Sequence, residues 1–90
     1  MILPVVLVEP LVGQIEKLLQ SMRSNPRAVP YADLKRVLEH NGVTVRTGKG
    51  SHRVAELNGA LYTIKDPGTG AFVHPKTVKH CLQTFGLWDD

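Results

Sequence analysis

Val43-Thr44-Val45-Arg46-Thr47-Gly48-Lys49-Gly50-Ser51-His52-Arg53-Val54-Ala55-Glu56-Leu57-Asn58-Gly59-Ala60-Leu61-Tyr62-Thr63-Ile64-Lys65 is the stretch that decides the fold. Val43 and Val45 alternate with Thr44 and Arg46, the two-residue period of a half-buried strand. Gly48, Lys49 and Gly50 make a flexible turn. Ser51–Leu57 and Ala60–Lys65 then read as two strands joined by Asn58-Gly59. That dipeptide accepts the positive φ angles of a two-residue hairpin turn, and it fixes the register. Leu57 should face Ala60, Ala55 should face Tyr62, Arg53 should face Ile64, and His52 should face Lys65. One side of the ribbon then carries Ala55, Leu57, Tyr62 and Ile64, which helices should cover. The other carries His52, Val54, Thr63 and Lys65, open to solvent, with His52 and Lys65 about 5 Å apart at Cβ.

Outward from the ribbon the period lengthens to that of helices. Before it, Tyr31, Leu34, Val37 and Leu38 form an apolar stripe on a helix from Pro30 to His40, and Asn41-Gly42 supplies a left-handed stop. Earlier still, Leu11, Ile15, Leu18, Leu19 and Met22 line one face of a helix that Pro10 should open and Ser24-Asn25-Pro26 should break. Met1–Val8 is apolar and rich in β-branched residues, which suits an edge strand or an arm docked on a neighbouring chain. After the ribbon, Asp66-Pro67-Gly68-Thr69-Gly70 has turn chemistry. Pro75 then opens a last helix with the stripe Val78, Cys81, Leu82 and Phe85, closed by Gly86. The order helix, helix, three strands, helix is that of an α+β domain with a three-stranded antiparallel sheet covered by helices on one face.

Composition narrows the class. Ninety residues give one domain, with 42% hydrophobic and 21% charged residues, ordinary values for a globular chain. The single cysteine excludes an internal disulfide and any cysteine-based zinc site. The longest apolar run falls far short of the roughly 20 residues a bilayer needs, and it lacks a basic leader segment. A cytoplasmic protein with no membrane partner is the expectation. The net charge is +3, and Thr44–Ala55 holds Arg46, Lys49, His52 and Arg53 without a carboxylate until Glu56. A local basic patch of this kind suits a polyanion.

Several residues have a plainer reading. His40 sits at a helix C-terminus, where a cation suits the dipole. His74 falls at the start of the last helix and His80 on its polar face, and neither joins Cys81 in a metal site. Cys81 shares the apolar stripe and reads as a core thiol. Thr47-Gly48-Lys49-Gly50-Ser51 is not a phosphate loop, because a strand follows it and not a helix.

The helix Tyr31-Ala32-Asp33-Leu34-Lys35-Arg36-Val37-Leu38-Glu39-His40-Asn41-Gly42, then Gly50-Ser51-His52-Arg53-Val54, the Asn58-Gly59 hairpin, Pro75-Lys76-Thr77-Val78 and the Gly86-Leu87 closure follow one another in a distinctive order. In that order and spacing the segment from Tyr31 to Leu87 resembles the HicA family, the ribonuclease half of HicA–HicB toxin–antitoxin pairs. The resemblance covers about two thirds of the chain. It implies residues 30–90 as a HicA-like domain with an α-β-β-β-α fold like that of double-stranded-RNA-binding domains, and residues 1–29 as an added arm and extra helix. It further implies a metal-independent endoribonuclease acting on mRNA, with no cofactor and with His52 as the catalytic residue. A HicB-type antitoxin would be the protein partner, and the arm offers a contact for a homodimer. Family sequences often carry a proline and a further histidine after the third strand, where this chain has Lys65-Asp66-Pro67-Gly68.

The residues support such chemistry on their own terms. Attack by the RNA 2′-hydroxyl on its own phosphorus needs a base, cations and room. Histidine, with an ordinary pKa of about 6.5, is the natural base near neutrality. Arg46, Lys49, Arg53 and Lys65 are the candidates for RNA phosphate contact, Gly50 and Ser51 are further RNA-binding candidates, and Gly48 and Gly50, which carry no Cβ, would let a backbone approach closely. The alternative is a non-catalytic RNA-binding or protein-interaction module on the same fold.

Overall fold

The computed structural model describes residues 5–88. The chain runs α1 (Val5–Ser24), α2 (Tyr31–His40), β1 (Thr44–Thr47), β2 (His52–Leu57), β3 (Ala60–Lys65) and α3 (Pro75–Thr84). The three strands form one antiparallel sheet in the order β1-β2-β3, with β2 in the centre. This is an α+β protein.

Hairpin chemistry sets the register. Asn58 and Gly59 have φ of 51° and 89°, the left-handed pair a two-residue turn requires. Leu57 pairs with Ala60, Ala55 with Tyr62, Arg53 with Ile64 and His52 with Lys65, as the turn dictates. Ala55 and Ile64 are fully buried on the face that packs into the core with Leu34, Val37, Leu38, Val78 and Leu82. Thr44, Arg46, His52, Thr63 and Lys65 are exposed on the opposite face. The sheet therefore has one covered and one open side, the arrangement antiparallel sheets allow.

Both shorter helices end by the same device. Gly42 takes φ +88° after α2 and Gly86 φ +73° after α3. In each case a later N–H reaches back into the last turn, Val43 to the Leu38 carbonyl at 3.0 Å and Leu87 to the Leu82 carbonyl at 2.7 Å. This explains why β1 begins at Thr44: the Val43 N–H caps the helix, and its side chain is buried in the core.

The first helix differs from the sequence reading. It begins at Val5 and not at Pro10, so Val5–Val8 belong to a helix and form no edge strand. Residues 1–4 of that expected strand lie outside the described residues. A short apolar run fits either period, and here the helical one prevails. Pro10 consequently sits inside α1, where its ring removes the N–H that would bond the Val6 carbonyl. Further along, Ile15, Leu19 and Met22 are buried in the common core. Arg23 then clasps the far end of the chain, its Nε and Nη2 donating to the Leu87 carbonyl at 3.0 and 2.8 Å. Among the described residues no helix is long and apolar enough to cross a membrane.

Candidate nucleic-acid interface

His52 opens β2 directly after the turn Gly48–Ser51. Two backbone bonds tie that turn: Gly48 N–H to the His52 carbonyl at 2.8 Å and His52 N–H to the Lys49 carbonyl at 3.1 Å. Gly50 lies at φ +61°, which lets the chain reverse without a Cβ clash. The imidazole is exposed, and its Nδ1 lies 3.1 Å from the Lys49 carbonyl oxygen. A carbonyl only accepts, so Nδ1 carries the proton. Neutral His52 therefore holds Nε2 as a bare acceptor, and one ring nitrogen is committed to orientation while the other is left for chemistry.

Lys65 is the cross-strand partner of His52 on the open face. The Asp66 N–H donates to the Ser51 carbonyl at 2.9 Å, which makes 51/66 a hydrogen-bonded position. By the alternation of antiparallel ladders, 52/65 is the non-hydrogen-bonded position, where facing side chains come closest. Both side chains are exposed, with Thr63 beside them and half-buried Val54 between. A cation and a base acceptor thus stand together on a flat, open surface.

The other candidate cations are divided by the fold. Arg46 lies on the open face, but its Nη1 pairs with the Glu56 carboxylate at 3.1 Å. Sequence alone left Arg46 unopposed; the strand register brings Glu56 to it from ten positions away. The pair is exposed on both sides and worth little against water, so Arg46 remains recruitable. Lys49 projects from the exposed turn, and among the described residues no carboxylate lies within ion-pair distance of it. Gly50 and Ser51 form the exposed tip of the same turn.

Arg53 does something different. Its register with Ile64 puts it on the covered side, and its side chain is half-buried. Nη1 donates to the carbonyls of Gly50 and His52, each at 3.1 Å, and Nη2 to the Asp66 carboxylate at 3.2 Å. Asp66 also accepts from the Gly68 N–H at 3.0 Å, an Asx turn. Arg53 is thus a brace that fixes the His52 turn to the loop after β3. The Tyr31 hydroxyl neighbours this brace. Burial raises its pKa above the usual tyrosine value; Arg53 opposes the rise, while Asp66 and Glu39 add to it.

Asp66 escaped the sequence reading because its partner is set by the register and not by spacing, although Asp66-Pro67-Gly68 already signalled the turn. His74 caps α3, its Nδ1 accepting from the Lys76 N–H at 3.1 Å. Cys81 is buried, and burial pushes its thiol pKa up to about 12. Among the described residues no three His, Cys, Asp or Glu side chains gather where they could hold a metal ion. Comparison with protein-family models, with curated proteins and with solved structures gives no match to this chain.

Proposed function

We propose that this chain is a HicA-like endoribonuclease toxin, built on a fold of the double-stranded-RNA-binding-domain kind, in which His52 moves protons during cleavage of mRNA. The observation that carries this reading is the oriented imidazole of His52 beside Lys65 on the open face of the sheet. Nε2 of neutral His52 accepts the proton of a ribose 2′-hydroxyl. The 2′-oxygen then bonds the adjacent phosphorus while the bond from phosphorus to the 5′-oxygen breaks. The departing oxygen takes a proton from solvent, leaving a 2′,3′-cyclic phosphate and a 5′-hydroxyl. The Lys65 ammonium offsets charge that builds on the phosphoryl oxygens. Positioned proton transfer of this kind contributes on the order of 10²–10⁴ in rate, which sets a slow enzyme.

A HicB-type antitoxin with an acidic surface would cover His52, Lys49 and Lys65 together, since these are the exposed groups that carry the chemistry. The test is end-group analysis of RNA incubated with the purified protein. Cyclic-phosphate and 5′-hydroxyl ends support the reading, and RNA left intact contradicts it.

A further inference from the structure

We propose that the groove between the Arg27 loop and the start of α3 is a nucleotide-binding subsite, in which Phe72 stacks on a base of single-stranded RNA while Arg27 and Lys65 hold the adjoining phosphates. The proposal rests on the reading of the protein as a ribonuclease and extends it to how the substrate is held. The groove measures about 700 Å³, and its walls include Arg27, Lys65, Pro67, Phe72, His74 and Thr77. That is the size class of small-ligand sites.

Phe72 is 54% exposed, a large aromatic left outside the core. Its backbone is nonetheless fixed on both sides. It bridges Pro30 in a short antiparallel contact, and the next N–H, of Val73, donates to the Val29 carbonyl at 2.8 Å. An exposed ring on a hydrogen-bonded stretch of backbone suits base stacking, and stacking tolerates any base.

The charge around the ring has one sign. Arg27 and Lys65 are both exposed, and among the described residues no carboxylate lines the groove. The nearest acid in sequence, Asp66, is engaged by Arg53 and by the Gly68 N–H. His74 adds a donor: its Nδ1 accepts from the Lys76 N–H, so the proton of the neutral ring sits on Nε2. Lys65 belongs both to this groove and to the pair it forms with His52. An RNA strand whose base rests on Phe72 therefore passes Lys65 on its way to His52, and one cation serves both places.

The experiment measures binding of a short single-stranded 2′-O-methyl oligoribonucleotide, which has no free 2′-hydroxyl and cannot be cleaved, to the full chain by fluorescence anisotropy. Phe72→Ala should weaken binding roughly 5- to 100-fold at an unchanged melting temperature, and Phe72→Trp should restore it. Arg27→Gln should lower the slope of log affinity against log salt by about one contact, whereas Lys17→Gln on α1 should leave it unchanged. Equal binding by wild type and Phe72→Ala, or no binding by the wild type, overturns the subsite. Parallel cleavage of ordinary RNA separates the two claims. Binding that depends on Phe72 without cleavage keeps the subsite and ends the ribonuclease reading. Cleavage with binding indifferent to Phe72 does the reverse.

Discussion

Arg53 and Asp66 form the ion pair that ties the His52 turn to the loop after β3, at 3.2 Å and half-buried. The same guanidinium bonds the carbonyls of Gly50 and His52. A lysine has the charge but not the planar fork, and its single ammonium nitrogen cannot take the places of both Nη1 and Nη2. Arg53→Lys should therefore lower stability by about 1–3 kcal/mol through the lost charge-assisted bonds. It should also slow RNA cleavage roughly tenfold, because His52 loses its fixed position. Thermal melts and single-turnover cleavage on the same preparation check both. A variant with wild-type melting and wild-type rate would remove the brace from the account.

The first helix is structural as far as its buried face goes. Met22 is 2% exposed in a core shared with α2, the sheet and α3. Met22→Ala leaves a cavity there and should cost about 2–5 kcal/mol by denaturant unfolding. Loss of less than about 1 kcal/mol would mean that α1 packs more loosely than its burial implies.

Alkaline pH should destabilise the fold. Burial raises the Cys81 thiol from 9.0 to about 12, and burial likewise raises Tyr31 and Tyr62 above 10.0. Between pH 9 and 12 the unfolded chain has lost the Cys81 proton and the folded chain still holds it. Stability then falls with rising pH, by at most about 1.4 kcal/mol per pH unit for one proton. Cys81→Ala should remove that component of the decline between pH 9 and 10, and melting temperatures across this range check it. The same burial keeps the native thiol inert to alkylating reagents, and unfolding should release it.

Much of the fold was legible because local chemistry and the global pattern agree. Asn58-Gly59 fixed every pair of the second hairpin, and the period change at Val43 separated helix from sheet. His52 beside Lys65 followed from counting along that ladder. What sequence could not show was who neutralises whom. Glu56 meets Arg46 and Asp66 meets Arg53 only through strand pairing and a loop return, so a patch that looks uniformly basic in the chain is half paired in space. Arg53 itself was assignable to the covered side from its register with Ile64, yet its charge suggested the open one. The start of α1 is not legible in the sequence because Val5–Val8, rich in β-branched residues, suit a strand locally and are helical only as the first turns of a longer helix.

Whether His52 moves the proton in RNA cleavage, as proposed, is read from the single-turnover cleavage rate of His52→Gln against wild type. The side chain is exposed, and among the described residues its one hydrogen bond is the exposed contact to the Lys49 carbonyl, so folding and RNA affinity should stay near wild type. The rate should fall by about 10²–10⁴ with binding unchanged. A His52→Gln protein that cleaves RNA within a factor of two or so of wild type would contradict it, since positioned acid–base catalysis is worth far more than that.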